Sequence, residues 1–555
     1  MSASSRVRGA RLNRRRFVTA TGTAGAAAFI AACGGSDDNE SSSSGAGQAQ
    51  ATTTSGTAAA GGQAAEKPTG TVTIIQGVEA NSLDPAIFNA TPESVILSHV
   101  MDTLLWRDAK TLKPVPWLAQ EFKNVDPTTW EFKLRPNIKF HDGTPVNSEA
   151  VKFSLDRWGK EKVGSKVTRP RPRRTVSYDS VEVVDATTFR IKTSAPAPTL
   201  LDALTGADSS IISPAAYTDE SDDNLAKVAS NPVGSGPWKL VDWQKDQRMT
   251  LEVNPDWWGP TVAFEKIVFR PIGETSTRIL ALKNGEADVI VNVPPDNAPD
   301  IEKGSNTRLS KVDGLRKIFV GLRVDKHPAL GDKRVRQAIN HAMNWDAISR
   351  ALLNGEGERM KTIMNPPHEP ADAKAYTYDQ NRAKQLLAEA GYANGFTIDM
   401  DAPTGRYIKD KELAQAIVQD LDKVGIKVNL NVLEWSVYAG QKLLTGGPGP
   451  APMYFVGLGA PVTGQDEAFF FHDEYGLDFT DWPNSPEYTQ AFNSLKVELD
   501  EKKFQGYLDQ LNKIIWDEAP WLFIYNQVDF YGASKKIAWD ARPDERIAMF
   551  EAKWA

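Results

Sequence analysis

The chain predicts an α/β fold, because strands and amphipathic helices alternate from residue 71 to near its end. Three observations carry this. Thr71-Val72-Thr73-Ile74-Ile75-Gln76 is a β-rich apolar run that reads as a buried strand. Leu413, Ile417, Leu421 and Val424 lie at helical spacing; Gly425 stops that helix, and Val428 to Leu433 follows as a strand. The 555 residues, 41% of them apolar, exceed what one core usually holds, and no internal repeat of solenoid length is present.

The other elements follow in order. Trp130 to Leu134 and Phe189 to Lys192 alternate as half-buried strands. Asn147 through Trp158 puts Val151, Leu155 and Trp158 on one helical face. Trp238 to Trp243 and Met249 to Val253 form a hairpin pair. Ile279, Leu280 and Leu282 belong to a short helix ending near Gly285, and Val289 to Val291 is a strand. From Arg334 to Leu353, the residues Val335, Ala338, Ile339, Ala342 and Met343 make a core-facing stripe. Asp379 caps a helix that Gly391 ends. Residues 446–464 are loop around a short strand, Met453 to Val456; residues 485–518 form two amphipathic helices, and Trp521 to Tyr525 a late strand.

The N-terminus has another character. Residues 1–33 hold six arginines and no acid, then an apolar run from Phe17 to Ala32. That run is short of the roughly 20 apolar residues a membrane span needs, and the arrangement is that of an export signal. Arg14-Arg15-Arg16-Phe17-Val18 fits a twin-arginine pattern, with an ordinary secretory signal as the alternative. Ile30-Ala31-Ala32-Cys33-Gly34 resembles the lipobox of bacterial lipoproteins, which makes Cys33, the chain's one cysteine, the expected lipidation site. Residues 34–69 are rich in Ser, Gly, Ala and Thr and read as a disordered tether. The net charge is -7; removing the six arginines leaves 58 basic groups against 71 acids, or -13. An acidic mature chain argues against nucleic acid as a partner. The basic run Lys166 to Arg174 reads as a solvated loop, with an anion-binding or docking patch as the alternative.

Catalytic and cofactor signatures are missing. There is no G-x-S-x-G elbow, H-E-x-x-H, phosphate loop or dinucleotide fingerprint, and six scattered histidines make no metal site. The expectation is a protein that is not an enzyme and has no catalytic residues, no cofactor and no metal.

Several motifs stand together in one order. They are Leu83-Asp84-Pro85, the stretch Trp130 to Val146 with His141-Asp142-Gly143-Thr144-Pro145, Asn231-Pro232-Val233-Gly234-Ser235-Gly236-Pro237-Trp238, Asn254-Pro255-Asp256-Trp257-Trp258, and Val335-Arg336-Gln337-Ala338-Ile339-Asn340 with Ala347-Ile348. With these the chain resembles the extracytoplasmic solute-binding proteins of ABC transporters, family 5, the peptide/nickel/oligopeptide class. Read physically, the His141 to Pro145 motif is a turn and Gly234 to Pro237 a tight backbone approach.

The resemblance implies a two-lobed periplasmic-binding-protein-like fold of the large type II class, with a hinge of two crossing strands. Lobe I would be 70–315 plus 525–555, with an extra subdomain at about 105–230, and lobe II 316–524. The crossings would fall near Lys317 to Gly321 and Phe523 to Asn526. By the same resemblance, Glu79, Asn81, Asn292, Trp435, Val456, Gly457, Leu458 and Asp466 are ligand-binding. Peptide-binding members carry an acid where Pro461 stands here, which leaves Asp466 as the remaining acid of that loop. The implied function is a receptor, expected to be a monomer anchored outside the cell membrane through Cys33. It would bind a small-molecule solute, a peptide or an oligosaccharide, and deliver it to ABC permease subunits. An exported hydrolase tethered by the same signal is the competing class.

Overall fold

The computed structural model describes residues 67–87, 90–160, 162–167, 176–366, 368–443, 449–459, 468 and 485–555. The expected signal, Cys33, most of the expected tether, the arginines of the basic run and Asp466 lie outside the described residues.

Ten strands form one sheet: β1 (Thr71–Gln76), β2 (Trp238–Gln244), β3 (Arg248–Val253), β4 (Lys266–Pro271), β5 (Val289–Ile290), β6 (Thr307–Leu322), β7 (Phe396–Thr404), β8 (Ile426–Glu434), β9 (Met453–Leu458) and β10 (Trp521–Ser534). Their spatial order is β2-β3-β4-β1-β5-β10-β6-β9-β7-β8. The outer parts contain the parallel pairs β1/β4 and β7/β8, as helical crossovers require. In the middle, β6 and β10 run antiparallel and join the two halves. A four-stranded antiparallel sheet, Ala119–Asp126, Thr129–Leu134, Thr188–Thr193 and Tyr178–Val183, packs against the helix Ser148–Trp158.

Local chemistry explains most boundaries. Asn147 caps its helix by accepting from the Ala150 N–H, and Asp379 does the same for Arg382. Gly143 turns at φ +85°, with Asp142 accepting from the Thr144 N–H. At Gly234 and Gly236 an added Cβ would collide with the backbone of Val100 and His99, so the tight approach is real. His141 Nε2 lies 3.0 Å from the Gly236 carbonyl oxygen, which gives this histidine a structural task.

Two elements differ from expectation. The stripe from Arg334 to Leu353 is two helices, Lys333–Ala342 and Trp345–Leu352. Met343 is extended between them. Asn344 caps the second helix through Ala347, and its own N–H donates to Asp420 at 2.8 Å. The last strand is also longer than Trp521 to Tyr525, running to Ser534.

The centre of the sheet is irregular. Asp313 pairs with Val528 and Lys317 with Asn526, so residues 314–316 oppose Gln527 alone. Such a bulge re-aims side chains. Here it turns Arg316 out of the ladder beside Asp529, where the two halves of the sheet meet.

Candidate functional site

A small cavity opens between these halves. It is lined by Gln76, Gly77 and Val78 after β1, by Thr91, Pro92 and Val95 on the helix Thr91–Val100, by Val291 and Asn292 after β5, and by Arg406, Asp529, Tyr531, Glu545 and Ile547. Gln76 and Arg406 lie at or just past the C-terminal ends of β1 and β7, where open α/β sheets place their ligands.

The loop after β7 is built around one carboxylate. Asp410 accepts from the N–H groups of Gly405, Arg406 and Tyr407 at 3.3, 2.9 and 3.0 Å. Burial pushes its carboxyl up to about 6 against the pull of those bonds. Asp410 begins the helix Asp410–Asp422, so the loop is tied to a rigid element. The loop also touches the other half of the sheet. Asn292, at φ 53°, donates from Nδ2 to the Arg406 carbonyl at 3.0 Å. A Cβ on Gly77 would meet the Gly405 carbonyl oxygen at 2.5 Å, so only glycine allows this approach.

Three charged side chains line the cavity, a fourth, Arg316, stands behind Glu545, and their pairing is unequal. Arg316 donates from Nε and Nη2 to the two carboxylate oxygens of Glu545, at 2.5 and 2.6 Å. It also reaches the Thr91 hydroxyl at 2.7 Å and the Gly457 carbonyl at 2.8 Å. Burial opposes the charge on Glu545, but Arg316 outweighs it and holds this carboxyl below its usual range. Arg406 has no such partner among the described residues. Its guanidinium lies 4.9 Å from the Tyr407 ring centre and 5.4 Å from that of Trp435, and its Nε has no hydrogen-bond partner among the described residues. Only 7% of the residue is exposed. Burial and the neighbouring Arg316 charge lower its proton affinity. Asp529 is 3% exposed; Oδ1 accepts from Gln527 at 2.6 Å and Oδ2 has no partner among the described residues. Burial, reinforced by Glu545, pushes its carboxyl up to about 8.

The expected site residues fall in several places. Asn292 lines the cavity. Gly457 is one hydrogen bond away through Arg316, and its carbonyl also accepts from the Tyr407 hydroxyl at 3.2 Å. Val456 and Leu458 flank it on β9, paired with Phe319 and Lys317 of β6. Trp435 starts the short helix Trp435–Tyr438 and is buried against Tyr407 and Arg406, behind the cavity lining. Glu79 accepts from Trp243 Nε1 at 2.7 Å and from the Asp246 N–H at 3.0 Å, which ties it to the β2–β3 hairpin. Asn81 is exposed and donates from its backbone N–H to Glu93 at 2.6 Å. Cys33 and Asp466 are outside the described residues.

Sequence reasoning missed Arg316, Arg406, Asp529 and Glu545. Two signals were available. Asp529 is the one acid between Ile524 and Tyr531, and Gly405-Arg406 follows the alternating run Phe396-Thr397-Ile398-Asp399-Met400, a strand pattern, at its C-terminal side. Among the described residues no group of three or more His, Cys, Asp or Glu side chains is placed to hold a metal ion.

Known proteins share this architecture. The glutathione-binding protein GsiB of Pectobacterium atrosepticum is 27% identical over 488 residues, covering 84% of this chain and 90% of that protein. The periplasmic binding protein DppA of Helicobacter pylori, solved with the peptide STSA, superposes with a TM-score of 0.80 at 25% identity, covering 87% of this chain and 98% of that one. AgaA of A. tumefaciens R10, solved with agropinic acid, gives a TM-score of 0.76 at 25% identity, covering 88% of this chain and 99% of that one. The middle region of the bacterial extracellular solute-binding proteins, family 5, matches residues 113–473. On this match, and on the two-lobed fold, the chain belongs to the bacterial extracellular solute-binding proteins of family 5.

Proposed function

We propose that the protein captures a peptide or peptide-like solute carrying a carboxylate and hands it to an ABC permease, without chemistry of its own. The observation that carries this is Arg406, a buried guanidinium that lines the cavity and forms no ion pair among the described residues. A buried charge is retained at such a cost when a partner arrives from outside. A carboxylate is the natural partner, because it matches the guanidinium fork in shape and charge. Glutathione, the peptide STSA and agropinic acid, bound by the relatives, all carry that group. Solute would enter when the Asn292–Arg406 and Gly77–Gly405 contacts part, a hinge motion about β6 and β10. On this reading lobe I is 70–315 plus 525–555 and lobe II is 316–524.

Mass spectrometry of solute retained by the folded protein tests the proposal. A peptide or other carboxylate recovered intact is the expected result. A neutral sugar, or hydrolysis products from an added peptide, would overturn it.

We also infer export by the N-terminal signal, through the twin-arginine route, and anchoring of the monomer through lipidated Cys33. Two or more acyl chains give stable membrane attachment, whereas one is marginal. Cys33→Ala is expected to move the protein from the membrane fraction to the soluble one. Membrane retention of that variant would rule the anchor out.

A further inference from the structure

We propose that Asp529 is the anchor for a cationic group of the solute, so that the cavity selects a zwitterion whose carboxylate is held by Arg406. This deepens the reading of the protein as a receptor for peptide-like solutes and rests on it.

The argument is an accounting of charged groups around the cleft. Both oxygens of Glu545 hold Arg316. Glu93 accepts from the backbone and side chain of Asn81 with one oxygen and from the Ala90 N–H with the other. Glu79 is engaged by Trp243 and Asp246. Asp529 is different: it lines the cavity, it is 3% exposed, and Oδ2 has no partner among the described residues. The carboxylate has a purpose-shaped place, because a Cβ at Gly314 in the bulge would collide with Oδ2. One cation and one acid group are thus left open in the same cavity, while the other cation and acid satisfy each other.

The charged and titratable groups facing Asp529 are Glu545, Arg316, Arg406, Tyr525 and Tyr531. Gln527 already donates to its other oxygen. Burial and the Glu545 charge keep the Asp529 carboxyl protonated in the empty cleft near neutral pH. An arriving ammonium group would stabilise the carboxylate, and the carboxyl proton would pass to bulk water. Binding then releases close to one proton per solute at pH 7.

The test uses the mature protein with glutathione, Met-Leu and Ser-Thr-Ser-Ala as probes, each beside its Nα-acetyl counterpart. At least one free peptide is expected to bind, by a rise in Tm and by calorimetry. Acetylation should weaken that peptide by about tenfold or more, the usual scale for losing a charged hydrogen bond. Asp529→Asn should weaken the free peptide equally and leave the acetylated one within about twofold, the signature of a removed pairwise contact. Calorimetry in buffers of different ionisation enthalpy should show the released proton for the native protein.

A smaller loss on acetylation, or tight binding of the free peptide by Asp529→Asn, would overturn the subsite while the peptide reading stands. Failure of all three free peptides to bind would overturn the peptide reading and the subsite with it. If Asp529→Asn does not fold, acetylation and proton release in the native protein decide the matter.

Discussion

Arg406→Met is expected to stabilise the empty protein and to cost it most of its solute affinity. The guanidinium is buried, and among the described residues it forms no ion pair and its Nε has no hydrogen-bond partner. Exchanging buried ionic groups for apolar ones of similar volume is often neutral or stabilising by about 1–4 kcal/mol. Met keeps the unbranched stem against Tyr407 and Trp435 and removes the charge. Binding should move the other way. A solute carboxylate that loses a buried guanidinium partner typically loses about 2–5 kcal/mol. Urea unfolding of the empty variant and titration with a carboxylate solute read the two effects separately. Unchanged affinity would remove Arg406 from the site, and an unchanged or lower unfolding midpoint would deny that its charge is stored strain.

The second large effect is expected at Arg316. Its guanidinium holds Glu545, Thr91 and the carbonyl of Gly457, which come from a helix start, the end of β9 and the C-terminal segment. Arg316→Met should lower unfolding stability by about 3–5 kcal/mol, because Glu545 is left buried and uncompensated. The double variant Arg316→Met with Glu545→Gln should recover part of the loss, since the stranded charge is gone. The loss should also depend on pH. Glu545 is held below the usual glutamate value of 4.5, so its contribution is fully present above that value and fades as pH falls through the depressed one. The single variant and the native protein should therefore converge in stability toward acid pH. A difference that stays constant from neutral to strongly acid pH would show that packing, and not the ion pair, makes the contribution.

Much of the framework was legible because it is local. The stripe Leu413, Ile417, Leu421 and Val424 needs only its own periodicity to become a helix, and all four residues are buried. Asp379 and Asn147 announce helix starts, each through a bond to an N–H three residues on; Gly234 to Pro237 announces a close backbone approach, although its partners, His99 and Val100, lie far back in the chain. Legibility failed where tertiary contacts override that local pattern. The helix pair around Met343 and Asn344 is separated by a bond to Asp420, 76 residues away. The central strands β6 and β10 are interrupted as patterns, one by the bulge at 314–316 and the other by Gln527 and Asp529. No period of two survives such a break.

The site shows the same division more sharply. Asn292 came from the family resemblance, and it lies after β5 in the cavity lining. Glu79 and Asn81 came from it too, yet partners far along the chain, Trp243, Asp246 and Glu93, engage them. Arg316, Arg406, Asp529 and Glu545 are ordinary charged residues in the sequence.

By itself, then, the sequence determined the family, the alternating α/β elements and the absence of known catalytic signatures, since motifs and periodicities are written in neighbouring residues. Only the tertiary structure decided which charges are spent and which are open. Glu545 meets Arg316 across 229 residues, and that pairing leaves Arg406 and Asp529 facing the same cavity. Whether a buried charge is satisfied depends on distances between remote segments, and folding alone sets those.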